Sequence, residues 1–596
     1  MQASTAPASV RQIVDPLPPA QRDESPVLSL RKGSLVPEGF VFDDSQIAAL
    51  ASLALQTHGN LIGAAGSGKT TCTKAFVQHI ADQVSAIDSN YDKVGTEGHF
   101  VKMIPSILLC SFTGRAVRQI KKNFPHEWHS NIMTIHRALR YAPEIVLGED
   151  EFGKPKEKRI FLPRHTEQNR MPWDIIIIDE SSMVACDLWQ NFYAAMKPNT
   201  RVYMVGDLNQ LPPVQGRSIF GYALAKWNIA ELTHIHRQKG SNDAIVPNAH
   251  RILKGLPPEE GVNFKMRRIS QYPREAKLQI IAMVQNMHQK NAFNPLYDGI
   301  ITAVNGDKWE SPSAPLGQIT LNEPLSRYFN LADAEGNPRK RLVIDAGRQR
   351  KIFAIGDKVM ATKNDYETGI TNGMMGVITD VFENRSYTGD RSMIGDLEAV
   401  QLRQEELSQL HGAHIDTDEL ISQIEDDIDA NGRDSNTKES ALKGAASHSI
   451  VVDFRACEAD AADDESDDTN RFITFYSRSE VESLQLAYAS TCHKMQGAEC
   501  PTTIVICHEV FGRMLTREWL YTACTRASKR LLLLYTDKGL SKALATQRVK
   551  GTTVRQKAES FRMLMEEATP RQLKLNQSFT KLLPEAMELT EEGKLK

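Results

Sequence analysis

The segment Gly63–Thr70, GAAGSGKT, constrains the fold of this chain more than any other part of it. It matches the pattern G-x-x-x-x-G-K-[ST], follows the apolar pair Leu61-Ile62 and opens a helical pattern from Thr70 to Ile80. Glycines let backbone N–H groups close around phosphate oxygens, and a helix N-terminus adds the positive end of its dipole. We therefore predict a nucleotide site in which Lys69 reaches the β- and γ-phosphates and the Thr70 hydroxyl ligates Mg²⁺.

Two adjacent carboxylates follow a second apolar run. Four consecutive isoleucines, residues 175–178, are followed by Asp179 and Glu180. Asp179 can hold Mg²⁺ through water, and Glu180 can orient or deprotonate the attacking water, so the pair favours hydrolysis over binding alone. The alternative role for Glu180 is a charge at a helix N-terminus, because Ser181 and Ser182 come next.

Short apolar runs alternate with helical patterns, which is typical of parallel sheets covered on both faces. The runs are Leu61–Ile62, Ile107–Cys110, Ile175–Ile178 and Val202–Val205, followed near the C-terminus by Thr503–Ile506 and Leu531–Tyr535. The fourth run leads into Gly206–Pro213, at a strand end where such sheets place ligand contacts. We expect Gln210 of this segment to sense the γ-phosphate, and we expect two separate α/β blocks.

Two interruptions of the α/β pattern are predicted to be small β modules. Residues 351–479 contain Gly356–Met360 and Asn372–Ile378, which have the composition of short antiparallel strands with glycine turns. Residues 141–170 carry the weaker pattern of a hairpin with a Gly-Lys-Pro tip. The sequence contains no internal repeat.

Length and composition bound the class of protein. With 596 residues the chain is long enough for roughly three or four domains. No run approaches the ~18 apolar residues of a membrane span, and the eight cysteines include no C-x-x-C pair. Residues 1–38 contain six prolines and lack the pattern of a signal peptide, so we expect a disordered tail on a cytoplasmic protein that is not secreted.

The net charge is an average over unlike parts of the chain. Residues 405–470 hold 19 Asp and Glu against 4 Lys and Arg, a balance of −15, so the formal charge of −3 leaves +12 on the remaining residues. A mildly basic body with one acidic insert is compatible with a nucleic-acid partner. The acidic run is interpreted as a solvated loop, with partner binding or mimicry of DNA as the alternative.

The order of these motifs resembles that of superfamily 1 helicases, specifically the RecD/Dda-like 1B branch of phage and bacterial type. The matches are Phe42–Gln46 with the adenine-reading Q motif, Ser111–Ala116 with motif Ia, Met133–His136 with Ib, Asp179–Met183 with II, Gly206–Val214 with III, His236–Gln238 with IV, Ala487–Glu499 with V and Leu520–Ala527 with VI. Many NTPases share a P-loop, whereas this ordered set is specific. Phe112, Cys492 and Met495 depart from the commoner residues without removing a charged or phosphate-contacting group.

The resemblance implies an α/β fold with two RecA-like P-loop domains, a small hairpin insert in the first and an SH3-like β insert in the second. The implied division is a disordered Pro-rich tail at 1–38, domain 1A at 39–235 with hairpin insert 1B at about 141–170, domain 2A at 236–350 and 480–550, insert 2B at 351–479 with an acidic loop at 405–470, and a helical C-terminal tail at 551–596.

The resemblance also implies which side chains act on the nucleotide. The implied catalytic residues are Lys69, Glu180, Gln210, Arg237 and Arg526, and the implied Mg²⁺ residues are Thr70 and Asp179. The implied ATP-binding residues are Gln46, Gly63, Ala64, Ala65, Gly66, Ser67, Gly68, Lys69, Thr70, Thr71, Gly497 and Glu499. Arg237 and Arg526 would stabilise charge on the γ-phosphate when the two blocks close around it. A surface salt bridge is the alternative role for either arginine.

Sequence-independent contacts to DNA phosphates are implied for a third set of residues. These are Thr113, Arg115, Thr134, His136, Thr491 and His493. For the hairpin insert, Phe152 or Phe161 is the candidate strand-separating pin, because an exposed aromatic ring can stack on a base.

The resulting expectation is an ATP-dependent 5′→3′ DNA helicase that translocates on single-stranded DNA in replication, recombination or repair, with ATP and Mg²⁺ as cofactors. The polarity comes from the resemblance alone. The partners are single-stranded DNA and duplex junctions, bound by a monomeric motor, with the acidic insert or the N-terminal tail as docking elements for proteins. The alternatives are a translocase that remodels protein–DNA complexes without processive unwinding, and a binding subunit with a decayed ATP site. An appended nuclease is rejected because residues 540–596 carry no carboxylate constellation.

Overall fold

The computed structural model describes residues 35–36, 40–91, 106–149, 155–213, 217–234, 243–306, 311–330, 339–346, 349–363, 370, 372–381, 448–454, 473–477, 480–551, 553–566 and 577–586. Contacts divide the chain into two compact units. The first unit is Met1–Pro258 with Arg517–Thr522 and Thr546–Lys596, and the second is Glu259–Thr516 with Ala523–Ala545.

The first unit is built on a six-stranded sheet in which every pairing is parallel. Its strands are β1 (His58–Gly63), β2 (Ile107–Ser111), β3 (Ile132–Thr134), β6 (Ile175–Asp179), β7 (Arg201–Gly206) and β8 (Asn228–Leu232), in the order β3-β2-β6-β7-β1-β8, and an antiparallel hairpin of β4 (Tyr141–Glu149) and β5 (Pro155–Pro163) is inserted between β3 and β6. This arrangement confirms that the predicted apolar runs form parallel strands.

The isoleucine run of β6 shows why these strands are apolar throughout. Ile176 and Ile178 pack into the core on one side of the sheet, and Ile175 and Ile177 pack into the core on the other side. Successive side chains of a strand point to opposite faces, so both faces of a covered parallel strand must be apolar. The helices of the first unit up to residue 258 are α1 (Asp44–Ala54), α2 (Lys69–Tyr91), α3 (Gly114–Lys121), α4 (Ile135–Ala138), α5 (Cys186–Ala194), α6 (Ile219–Lys226) and α7 (Ile245–Leu253).

The second unit contains a five-stranded, all-parallel sheet and a five-stranded antiparallel sheet. The parallel sheet has the order β18-β10-β19-β20-β9, from β9 (Phe264–Arg268), β10 (Gly299–Thr302), β18 (Ala489–Thr491), β19 (Cys500–Cys507) and β20 (Ala527–Tyr535). The antiparallel sheet has the order β16-β15-β14-β13-β17, from β13 (Lys358–Ala361), β14 (Met375–Val381), β15 (His448–Asp453), β16 (Ile473–Ser477) and β17 (Leu484–Leu486), and β11 (Arg341–Ala346) pairs with β12 (Gln349–Ala354).

The remaining helices complete both units. They include α8 (Pro273–Gln289), α9 (Gln318–Phe329), α10 (Arg517–Cys524), α11 (Asp537–Ala545) and α12 (Val554–Glu566), a last helical turn at 577–581, and short 3-10 helices at His126–Asn131, Ser181–Met183, Ala314–Leu316, Glu480–Ser483 and Glu509–Met514. In the part of the chain that the structure describes, no helix has both the length and the apolar character needed to cross a membrane.

The segment after residue 545 returns to the first unit and forms part of its core. Helix α12 packs on α6, and a Cβ at Gly221 of α6 would lie 3.0 Å from Cε1 of Phe561. Further along, Nε1 of Trp189 donates to the carbonyl oxygen of Leu582 at 3.0 Å, and Leu583 is buried in the core. The described residues of the expected C-terminal tail are therefore packed, and we call residues 546–551, 553–566 and 577–586 the C-terminal strap.

Three boundaries differ from the expected division of the chain. The units meet in sequence at residues 258 and 259 rather than at 235 and 236, because α7 packs with the first unit. Leu35 and Val36, expected in the disordered tail, are buried in the first unit's core. Strand β15 lies inside the expected acidic loop at 405–470, since its apolar residues Ile450–Val452 pair with neighbouring strands. The remainder of that loop lies outside the described residues, except for residue 454.

Candidate nucleotide site

The turn between β1 and α2 has the backbone conformation that the glycine pattern predicts. Gly66 and Gly68 have φ values of 82° and 85°, a region that favours glycine. A Cβ on Gly63 would lie 2.1 Å from Oγ of Ser67, so the loop also needs glycine at its first position. Nζ of Lys69 donates to the carbonyl oxygen of Gly63 at 2.8 Å and to that of Ala64 at 3.1 Å. The loop therefore forms a turn of backbone amides at the N-terminus of α2, with Lys69 at its rim.

The two carboxylates lie at the C-terminal end of β6. Oδ1 of Asp179 accepts a hydrogen bond from the backbone N–H of Glu180 at 2.8 Å. Burial raises the pKa of Asp179, while this hydrogen bond and the nearby charge of Lys69 act in the opposite direction. Glu180 has a left-handed backbone conformation with φ 52°, which turns the chain sharply after the strand.

Asp179 and Thr70 line the same small cavity. The lining residues are Thr70, Thr73, Leu109, Ile120, Phe124, Ile177 and Asp179. A hydroxyl and a carboxylate are hard oxygen donors, and Mg²⁺ is held in proteins by one or two such groups together with water and phosphate oxygens. The residues present therefore fit Mg²⁺, which would neutralise phosphate charge at this strand end.

The loop after β7, residues 207–213, is called the β7 loop and forms hydrogen bonds with several other parts of the first unit. Asp207 is fully buried, and its Oδ2 accepts a hydrogen bond of 2.5 Å from the hydroxyl of Tyr521. The same hydroxyl accepts the backbone N–H of Ala65 at 2.8 Å, so Tyr521 bridges the glycine-rich loop and the β7 loop. Oε1 of the buried Gln210 has no hydrogen-bond partner among the described residues. Gln210 thus carries a buried acceptor atom that no described residue uses.

Gln46 is placed by a capping box at the start of α1. Oδ1 of Asp43 accepts the backbone N–H of Gln46 at 3.0 Å, and Oε1 of Gln46 accepts that of Asp43 at 3.2 Å. Nε2 of Gln46 is buried and has no hydrogen-bond partner among the residues that the structure describes. This amide can therefore still donate, which is what recognition of an adenine edge requires.

The candidate DNA residues of the first unit lie at helix starts. Thr113 and Thr134 use their hydroxyl oxygens as N-caps, accepting the backbone N–H groups of Ala116 and Arg137, each at 3.2 Å. Each hydroxyl keeps its proton and can donate it to a phosphate. The ring of His136 lies 5.3 Å from that of Tyr141, and burial lowers the pKa of His136. Arg115 lies half-buried in the first turn of α3.

Other candidate residues belong to the second unit. Thr491 ends β18 and is buried, and His493 follows in the next turn. Gly497 has φ 72°, and Glu499 is exposed. Arg526 is buried and donates to the carbonyl oxygen of Ala498 at 3.2 Å. These residues therefore cluster at the carboxyl end of β18 and around the start of β19 and β20.

Two predicted residues lie outside the described part of the chain. They are Arg237, the motif IV arginine, and Phe152, at the tip of the hairpin insert. Phe161 lies on β5 opposite Pro143 and is 38% exposed. Two structurally prominent residues went unpredicted: Tyr521, although it stands inside the motif VI match, and Lys557, which no sequence pattern marks.

Comparison with known proteins agrees with this arrangement. A family model described as an AAA domain matches residues 46–216, and one described as a UvrD-like helicase C-terminal domain matches residues 486–534. The ATP-dependent RecD2 DNA helicase of Deinococcus radiodurans is 27% identical over 506 residues, which cover 85% of this chain and 50% of that protein. The RecBCD enzyme subunit RecD of Mycolicibacterium smegmatis is 23% identical, with 89% of this chain and 78% of that one covered. The chain thus spans about half the length of RecD2.

Among solved structures, a Bacteroides Pif1 helicase in complex with ADP-AlF3 and ssDNA matches with a TM-score of 0.41 and 14% identity, covering 89% of this chain and 98% of that one.

The glycine-rich loop, the carboxylate pair and the two parallel sheets define a P-loop protein with two RecA-like α/β units. The ordered motifs and the RecD matches make the chain similar to superfamily 1 helicases of the RecD-like 1B branch.

Proposed function

We propose that this protein is an ATP-dependent DNA helicase that translocates 5′→3′ along single-stranded DNA and opens duplexes in replication, recombination or repair. The observation that carries the proposal is the glycine-rich loop at the start of α2, with Lys69 folded against it and Asp179 and Glu180 at the end of β6, in a chain whose motifs follow the order of the superfamily. The related RecD2 is named as an ATP-dependent DNA helicase, which supports the same activity here.

The chemistry of hydrolysis would be divided among the chain's own residues. The amides of the glycine-rich loop and Lys69 would bind the phosphates, and Glu180 would take the proton of the attacking water. Gln210 would sense the γ-phosphate, while Arg237 and Arg526 would stabilise its charge during the reaction. An arginine in that role is worth roughly 10³–10⁵ in kcat.

The proposed DNA path uses Thr113, Arg115, Thr134 and His136 of the first unit with Thr491 and His493 of the second. Their contacts to phosphates would give a grip that does not depend on base sequence. The hairpin of β4 and β5 is proposed as insert 1B with Phe161 as its pin, and the antiparallel sheet of the second unit as an SH3-like insert 2B. The proposed motor is a monomer, and the acidic residues within 405–470 and the N-terminal tail are the proposed docking elements for proteins.

The test is ATP-driven opening of matched duplexes that carry either a 5′ or a 3′ single-stranded tail, with the Lys69→Ala protein as the blank. Opening of the 5′-tailed duplex alone supports the helicase and its polarity together. Opening of the 3′-tailed duplex alone keeps the motor but contradicts the polarity. DNA-stimulated ATP hydrolysis without opening of either duplex supports the second candidate, a translocase that remodels protein–DNA complexes. An RNA-tailed duplex in the same assay measures the preference for DNA.

A further inference from the structure

The C-terminal strap places a buried ammonium group beside the β7 loop. Lys557 of α12 is 4% exposed, and its Nζ donates to Oδ1 of Asn209 at 2.5 Å. Lysine is almost never buried unless it is paired. The carboxylates of Glu518 and Asp207 lie near enough to oppose the lowering of the Lys557 pKa by burial. The group is thus held in a charged, hydrogen-bonded setting inside the first unit.

The loop that Lys557 contacts is the one that carries Gln210. The backbone N–H of Asn209 donates to Oδ1 of Asp207 at 2.9 Å, and that of Leu211 donates to the hydroxyl of Thr522 at 3.1 Å. Asp207 is itself held by Tyr521. The two neighbours of Gln210 are therefore hydrogen-bonded to different helices. Leu211 bonds to Thr522 of α10, and the side chain of Asn209 bonds to Lys557 of α12.

We propose that Lys557 is a positioning residue for ATP hydrolysis: by holding Asn209, the C-terminal strap aims Gln210 at the terminal phosphate of the bound nucleotide. This inference rests on the proposed ATPase activity. Lys557 touches no reacting atom. Its effect follows from geometry, because a misplacement of about 1 Å caused by a distant residue can cost up to about 10²-fold in rate.

A purely structural role predicts a different result, and the chain offers a matched control. Nζ of Lys226 donates to the carbonyl oxygen of Leu583 at 2.7 Å and pairs with Glu585 at 2.8 Å. Lys226 therefore binds the C-terminal strap near residue 586, whereas Lys557 lies on α12. None of these Lys226 contacts involves the β7 loop. Lys226→Met should therefore loosen the strap without releasing Asn209 directly.

The experiment measures kcat and KM for ATP in the presence of single-stranded oligothymidylate, together with the thermal midpoint, on the full chain. The proteins are wild type, Lys557→Met, Asn209→Ala, their double variant and Lys226→Met. We expect Lys557→Met and Asn209→Ala each to lower kcat about 10-fold with KM changed less than about two-fold. The double variant should be about as slow as either single one, because both changes remove the same link.

Three outcomes would overturn the inference: an unchanged kcat in Lys557→Met, losses that multiply in the double variant, or an equal loss of kcat in Lys226→Met at a comparable thermal midpoint. Should Lys557→Met fail to fold, an unchanged kcat in Asn209→Ala overturns the inference in its place. If the wild type hydrolyses ATP and one of these outcomes is observed, only the inference about Lys557 is overturned. A wild type without DNA-stimulated hydrolysis overturns the proposed function as well.

Discussion

The hydroxyl of Tyr521 lies 2.5 Å from Oδ2 of Asp207, although the two residues are 314 positions apart in the chain. The same oxygen accepts the N–H of Ala65, so one side chain connects the glycine-rich loop with the β7 loop, which carries Gln210. A buried polar bridge of this kind holds both loops in one geometry, because each partner loses its hydrogen bond if the bridge is removed.

Tyr521→Phe is expected to lower both the stability of the first unit and the rate of ATP hydrolysis. The change leaves a buried carboxylate oxygen and a P-loop amide without this partner, at a cost of about 1–3 kcal/mol. The measurements are urea unfolding and kcat for ATP. Tyr203→Phe is the matched control, since it removes a buried hydroxyl that donates to the carbonyl oxygen of Gln56 at 2.7 Å, away from both loops. Equal kcat values for the two variants would contradict the prediction.

Phe161→Ala is expected to reduce duplex opening several-fold while DNA-stimulated ATP hydrolysis is retained. Stacking of a base on an aromatic ring is worth about 1–3 kcal/mol, and alanine removes the ring. The control is Leu162→Ala, because Leu162 is similarly exposed and points to the opposite face of the hairpin. Opening at the wild-type rate by Phe161→Ala would exclude this side chain as the strand-separating pin.

The first unit is expected to lose stability as the pH falls from 7 to 5, in part through His58. Burial, helped by the charges of Arg201 and Lys226, lowers the pKa of His58 to about 4. The ring is stacked on Trp227, and its Nδ1 accepts the N–H of Val202 at 3.1 Å. The unfolded chain takes up this proton near pH 6.5, whereas the folded chain does not until about pH 4, so stability is lost across that window.

The contribution of His58 can be isolated by comparing urea unfolding of wild type and His58→Asn at both pH values. Between pH 7 and pH 5, the wild type is expected to lose about 2 kcal/mol more unfolding free energy than His58→Asn. The difference arises because the unfolded chain binds one proton at His58 in this pH range and the folded chain does not. Identical losses in the two proteins would show that His58 is protonated as readily in the folded chain as in the unfolded one.

Trp189→Phe is expected to weaken the attachment of the C-terminal strap. The change removes the indole N–H that donates to the carbonyl oxygen of Leu582 and keeps most of the buried ring. We expect a loss of about 1 kcal/mol in unfolding free energy and faster proteolysis within residues 577–586. Tyr193→Phe, one turn along the same helix, is the control. Unchanged proteolysis in Trp189→Phe would contradict this account of the attachment.

The parts of the site that depend on local chemistry were predictable from the sequence. The glycine-rich turn was predictable because its backbone needs positive φ angles at Gly66 and Gly68, and glycine adopts these readily. The strand that ends in Asp179 was predictable as well, because four successive β-branched isoleucines are typical of a strand covered on both faces. Strand β15 was missed, since a short apolar run inside an acidic stretch does not outweigh the composition around it.

The sequence by itself therefore determined the phosphate loop, the carboxylate pair and the two parallel sheets, each of which follows from residues close together in the chain. Only the tertiary structure decided that Lys557 meets Asn209, 348 positions away, and that the C-terminal strap belongs to the first unit's core. Contacts of that range depend on where the chain crosses between units, and no periodicity or local preference of the residues encodes that path.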